Sequence, residues 1–517
     1  MSNTKTIAKN TGWFGLENII NGVLTIFTSI AIARYLGPSK NGYIVYVSYI
    51  ASVVTGLGGV GVPATTRKYM AEFIGMGDWG TARYIYLRTL LLQAILATVA
   101  TGCLLFWVLG DANPDYKLAA ALLVLSIWPS MVNSPSAMAN TATEQLAANV
   151  PASIASTLVY FTMIAATVVF HWGVVGVGAS MLLMRAVDFL VRFFPTLKRV
   201  LGWESTHVQP PELGKRMMTF AAQSVASMLV AQVVWGRSEI ILLKMLCADV
   251  RQVSFYSAAF SMAEQLLMGA TIFGAAASTT IFAQYGRDKS RIPSITASSF
   301  RYLALTTIPL HFIAASLAVP ALLLLYGHQY EGGAAVVALA PLMCMFKAFM
   351  APAQSLLQSV ERQGYIIAAT VVAGVVDIGV AWYLIPAHGA VGACIGNGAA
   401  QAVAVGGMWA VAVNIYKVKL PWLQIAKITF ISALAALTAH YIAVQLPPLW
   451  GILAGGTASL IVLFGLFYMM RVLEPEDHVR FKTLTGLLPN KIGVPAQGLL
   501  SLLIRPESHS LTEKSLP

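Results

Sequence analysis

Charge is what this chain has least of. Only 10% of its 517 residues are Asp, Glu, Lys or Arg, while 57% are hydrophobic. A soluble globular protein carries about 25% charged residues. With a mean hydropathy of +0.72, that scarcity excludes a soluble fold and points to a chain that crosses a membrane many times. Cysteine is scarce too. Cys103, Cys247, Cys344 and Cys394 lie in or beside apolar segments, with no C-x-x-C spacing. They read as small hydrophobes, neither a disulfide framework nor a metal site. No H-E-x-x-H, G-x-S-x-G or Walker A pattern occurs, so neither hydrolytic nor ATPase chemistry is legible. His171, His328 and His388 are isolated in short turns and read as surface groups.

What is present is a series of apolar runs. A span needs about 20 mostly apolar residues. Fourteen stretches qualify: 13–36, 42–66, 84–109, 117–139, 149–170, 173–197, 217–246, 252–283, 300–326, 333–358, 365–386, 389–416, 423–445 and 448–471. The first is longer than a signal-peptide core and no small-residue cleavage pattern follows it, so it stays as a span. In lipid each backbone polar group must be satisfied within its own segment, which predicts helices. The alternation of barrel strands is missing. The expected fold is an all-α polytopic membrane protein of about 14 transmembrane helices.

Basic residues set the orientation. Of 33 Lys and Arg, 25 fall on the side of both termini. Five fall opposite: Arg34, Lys40, Lys117, Lys244 and Arg251. Arg185, Arg237 and Lys347 lie within spans. Both termini are therefore expected in the cytoplasm, and the net charge of +12 reflects topology, with no call for nucleic acid. The longest outside connection, around "GDANPDYK", has about eight residues, too few for a domain. The tail segment "LEPEDHVRFKTLTGLLP" reads equally as a short interfacial helix or as disordered chain.

The chain also repeats itself. "AIARYLGPSKNGYIVYVSYI" and "ILLKMLCADVRQVSFYSAAF" align at an offset of 210, where Arg34 meets Lys244 and Tyr46 meets Tyr256. "FHWGVVGVGAS" and "PAHGAVGACIG" align at an offset of 216. Pro129 and Pro135 in the fourth stretch are matched by Pro341 and Pro352 in the tenth. Two six-span halves in the same orientation follow, a parallel repeat of the kind transporters use. The expected division is an N-lobe 1–197, a linker 198–216, a C-lobe 217–416, two extra helices 417–471 and a tail 472–517.

"ARYLGPSKNGYIVY", then "GLGGVGVPATTRKYMAEF" and "FYSAAF", resemble the Wzx-like polysaccharide flippases of the MOP superfamily. The resemblance covers roughly residues 5–470. It implies two six-helix lobes around a central cavity, alternating access, and movement of undecaprenyl-diphosphate-linked oligosaccharide from the cytoplasmic to the periplasmic leaflet for cell-surface polysaccharide export. It implies a bacterial inner membrane, and a polysaccharide polymerase and chain-length regulator as partners. Fourteen helices are also similar to the lipid II flippases of the superfamily, whose last two helices help to form a groove for the lipid tail.

Charges inside spans cost about 2.5–3.5 kcal/mol each on insertion scales and mark functional candidates. A diphosphate gives such a cation a purpose, as Arg offers a planar fork to phosphate and Lys a mobile point charge. Arg237, in "VVWGRSEIILLKML", lies about nine residues, roughly 13 Å, from the outer end of its run. It either faces the cavity or pairs with an acid such as Glu264. Glu239 is two residues on and projects to a different face, which makes it a poor partner for Arg237. Lys347 either lines the cavity or pairs with Asp377. Arg185 has Asp188 three residues away as a local partner. Arg34 and Lys244 are near enough to the outer end to snorkel, and their repeat-related positions also make them, with Arg185, candidate substrate-binding cations of the cavity beside Arg237 and Lys347. Coupling to H+ or Na+ is expected to use Glu264 or Asp377, which are deep, with Glu17 nearer the cytoplasmic surface. Gln223, Gln232, Gln265 and Asn397 suit sugar hydroxyls and helix packing equally well.

Two alternatives keep the fold. A multidrug and toxin cation antiporter favours an apolar cavity with acids, and three interior basic residues argue against it. A lipid II flippase resembles its relatives in placing basic residues within the first two helices, and 42–66 has none.

Overall fold

In the computed structural model the chain is an all-helical polytopic membrane protein, with no strand among the described residues, which are 2–59, 61–110, 114–204, 212–473 and 477. Side chains of residues 2–20 lie outside that set, as does most of the segment considered as an interfacial helix. In chain order the helices are α1 (Ser2–Gly58), α2 (Val62–Gly75), α3 (Trp79–Leu109), α4 (Pro114–Leu125), α5 (Ile127–Ala142), α6 (Val150–Val169), α7 (Gly173–Leu201), α8 (Leu213–Trp235) and α9 (Glu239–Leu246). They continue as α10 (Arg251–Arg287), α11 (Ile292–Tyr326), α12 (Ala334–Ala348), α13 (Met350–Ser359), α14 (Gln363–His388), α15 (Ala390–Asn414), α16 (Trp422–Val444) and α17 (Pro448–Met469).

All fourteen apolar stretches are mainly helical among the described residues. Among the described residues, ten helices are long and apolar enough to cross a membrane, or eleven when the bent pair 21–58 and Val62–Gly75 counts as one span. The smaller number has identifiable causes. The first two stretches fuse into α1 across a kink at Gly37, whose φ of 72° suits a residue without Cβ. The seventh is divided between α8 and α9. The twelfth, α15, carries glycines, Asn397 and Gln401 and falls outside the apolar set.

The chain forms two compact units. Unit one comprises Met1–Ser257, Leu325–Tyr330 and Gly374–Asn397; unit two comprises Ala258–Leu324, Glu331–Ala373 and Gly398–Pro517. In unit one, α3 shows how lipid inverts the usual helix pattern. Leu91, Leu92, Ile95 and Val99 are exposed, whereas Thr89, Gln93, Ala97 and Thr101, spaced by four, are buried. Small and weakly polar residues pack inward because lipid competes for the aliphatic ones. The helix starts at Asp78, whose carboxylate accepts from the Thr81 N–H at 2.8 Å. Val47, Leu123, Ile127 and Met131 form the centre of one cluster, and Met70, Ile85 and Tyr86 the centre of another.

In unit two, α16 and α17 meet along a seam of small residues. Gly451, Gly455 and Ser459 are buried at intervals of four on α17. A Cβ at Gly455 would stand 2.7 Å from the Ala439 carbonyl oxygen, so the backbones touch as a small-xxx-small motif permits. Beyond α17 the chain returns to the foot of α11. There Arg301 donates to both oxygens of Asp477 at 2.8 and 2.5 Å. Its Nε donates to Gln424 Oε1 at 2.8 Å, and the Tyr302 hydroxyl donates to Asp477 at 2.7 Å.

Candidate functional site

The site grows from the break in the seventh stretch. α8 ends at Trp235, and Gly236 follows in an extended conformation (φ −84°, ψ −166°). Arg237 and Ser238 form a turn that carries α9, with the N–H groups of Ile240 and Ile241 donating to the Arg237 and Ser238 carbonyls at 3.0 Å. Irregular backbone at membrane depth is tolerated where protein or a wet cavity satisfies it. The break makes Glu239 the first residue of α9 and turns its carboxyl inward, where it is fully buried.

Three further polar side chains meet it there. Asn397 of α15 donates to Glu239 Oε1 at 2.7 Å, and the Tyr256 hydroxyl of α10 donates to Oε2 at 2.8 Å. The Asp377 carboxyl of α14 faces that of Glu239 and acts on it electrostatically. Ser238 donates to Asp377 Oδ2 at 3.4 Å. Asp377 Oδ1 meets no N–H or O–H donor when both acids are ionised. Glu239, Tyr256, Asp377 and Asn397 are each at most 1% exposed. Two carboxylates in contact at low dielectric cannot both be ionised. A single proton shared between them would satisfy the Asp377 oxygen and relieve the repulsion. Tyr49 of α1 closes one side of the cluster. It hydrogen-bonds Gln232 and lies within electrostatic reach of Glu239, Asp377 and Arg237.

Of the residues singled out in the sequence, Asp377 enters this cluster. Arg237 borders it, half-buried, with its charge acting on both Tyr49 and Tyr326. Lys244 lies in the last turn of α9, exposed. Arg34 is exposed, and its carbonyl accepts from Gln329 Nε2 at 2.7 Å. Arg185 is half-buried on α7, close enough to act on Tyr160. Its expected local partner is taken: Asp188 bonds Arg192 at 2.7 Å and accepts from Asn133 at 2.8 Å. The i,i+4 neighbour wins over the i−3 one. Glu264 on α10 and Lys347 in the last turn of α12 are half-buried in unit two. The Glu17 side chain lies outside the described residues.

No family model matches the chain, and neither does any curated protein. Solved structures do. The fold is similar to that of the lipid II flippase MurJ in an inward closed conformation. That match has a TM-score of 0.66 at 14% identity and covers 88% of this chain and 98% of MurJ. It is also similar to an inward-facing multidrug resistance MATE family transporter of the MOP superfamily, with a TM-score of 0.64 at 15% identity over 77% of this chain and 95% of the transporter. An outward-facing MATE transporter gives a TM-score of 0.55 at 15% identity, covering 82% of this chain and 96% of that one. The structural neighbours are thus MOP-superfamily transporters, and the chain shares their fold over nearly their whole length.

Proposed function

We propose that this chain is a flippase. Its cargo in this reading is undecaprenyl-diphosphate-linked oligosaccharide, moved from the cytoplasmic to the outer leaflet of a bacterial inner membrane by alternating access, with both termini cytoplasmic. Cell-surface polysaccharide export would then follow, with a polymerase and a chain-length regulator as downstream partners. The carrying observation is the Glu239–Asp377 pair beside Arg237 in a broken span. A buried proton shared by two acids is a coupling device. When the site opens to water at lower proton activity, the proton leaves and like charges face each other across α9 and α14. The repulsion moves the short helix that Gly236 releases from α8. Arg237 supplies the cation that an anionic lipid requires, and the MurJ likeness supports a lipid cargo.

The same acids also favour a second reading, exchange of a cationic drug for protons, which the MATE likeness supports. One experiment separates the two. Cells lacking their own flippase receive the wild type, Glu239→Gln, Asp377→Asn, Arg237→Ala or Arg237→Lys. Leaflet-resolved delivery of lipid-diphosphate sugars and ethidium efflux are read side by side. The flippase reading expects sugar delivery by the wild type, at least a tenfold loss in each acid variant at equal protein level, and partial rescue of Arg237→Ala by Arg237→Lys. Efflux without sugar delivery would establish the drug reading instead.

A further inference from the structure

At the far end of α9 from Glu239, unit one opens into a cleft of about 780 Å³, within the ~300–1,000 Å³ typical of ligand pockets. The basic-residue bias assigns this end to the outside. Ser39, Tyr43 and Tyr46 of α1 line it, with Trp107 of α3, Tyr116 of α4 and Lys244 of α9. The Tyr43 and Tyr116 ring centroids are 4.6 Å apart, and the edge of one ring of the Tyr46–Trp107 pair meets the other at 6.4 Å. Trp107 stays 47% exposed, so much of its indole surface is open to a ligand.

We propose that this cleft is a saccharide site, which holds the glycan of the lipid-linked cargo; the cargo's identity rests on the flippase reading. Aromatic faces are electron-rich and take the C–H bonds of a pyranose ring. Phenol and serine hydroxyls exchange hydrogen bonds with sugar hydroxyls. The Lys244 ammonium serves an acidic sugar or the diphosphate as a mobile charge. Aromatic residues also gather in ordinary membrane-interface belts. A belt spreads its rings around the perimeter, whereas here three tyrosines and a tryptophan converge on one concavity with a cation. The position has a mechanical meaning as well. Lys244 is five residues beyond Glu239 on the same helix, about 7.5 Å along its axis. Movement of α9 at the acid pair therefore moves the lip of the cleft.

The test uses the full chain in lipid nanodiscs and two probes, farnesyl diphosphate and farnesyl diphosphate carrying chitotetraose. The wild type is expected to bind the sugar-bearing probe at least tenfold more tightly. Trp107→Ala should remove at least fivefold of that advantage and leave the bare probe unchanged, whereas Lys244→Ala, which removes a charge available to the diphosphate of both probes, should weaken both alike. Trp107→Phe, which keeps an aromatic face, should retain most of the advantage. Equal binding of both probes by the wild type overturns the proposal, and so does equal weakening of both by Trp107→Ala, which would make the cleft a lipid-headgroup site. Sugar-dependent binding without sugar delivery in cells would sink the flippase reading and leave the cleft standing. Delivery without sugar-dependent binding would do the reverse.

Discussion

Both units bury carboxyl groups, one in unit two and two in unit one, and they are treated in opposite ways. In unit two Asp477 meets the Arg301 guanidinium through two parallel bonds, with Tyr302 completing its shell. In unit one Glu239 accepts from Asn397 and Tyr256 and faces a second acid. The first arrangement neutralises charge within the fold and holds chain segments together. The second sets two acids against each other, and one shared proton would lower their combined charge from two negative charges to one. A matched pair is a fastening; an acid facing an acid responds to its surroundings.

The largest expected break in that contrast is Asp477→Ala. It leaves Arg301, itself 9% exposed, without its counter-ion, a loss of about 3–5 kcal/mol for a buried pair. A clearly lowered melting temperature and faster proteolysis of purified protein in detergent are the expected results; an unchanged melting curve would remove the fastening role. The next effect has the opposite sign. Glu239→Gln replaces the shared proton with a fixed amide donor toward Asp377, an exchange worth up to about 1 kcal/mol. The melting temperature at neutral pH is expected to hold or rise while transport falls. A drop comparable to that of Asp477→Ala would mean that the acid pair is structural.

The smallest effect concerns a third carboxylate, in the surface loop after α10. Asp288 is held below its ordinary range by the Ser290 hydroxyl at 2.6 Å and the Ser290 N–H at 3.0 Å. A lowered folded value means that these bonds stabilise fully above the ordinary Asp range and lose their contribution as pH falls through the folded value. Ser290→Ala should raise the Asp288 midpoint in a carboxyl 13C titration and leave the melting temperature where it was. An unmoved midpoint would assign the shift to Arg291, whose Nε is 3.3 Å away.

Much of the fold is legible in the sequence because lipid leaves a segment little choice but helix. Breaks within spans are harder to read, since hydropathy averages across them. Gly236 costs an apolar window almost nothing, yet it ends α8. That single break also explains the oversight at the site. Setting Glu239 aside as projecting to another face assumes regular helix through 237–239, where the chain turns. Asp377 is visible as a deep acid, but its partners come from positions 239, 256 and 397. With Asp377 they lie on four different helices among other polar residues of their runs, and only the packing of those helices gathers them.

The Arg301–Asp477 bond also fixes where the chain can be shortened. α17 ends at Met469, and hydropathy alone would place the limit of the folded part there. The residue that answers the buried guanidinium lies eight positions further on. A truncation after α17 would remove that counter-ion. A guanidinium on α11 is thus answered from beyond the last apolar span.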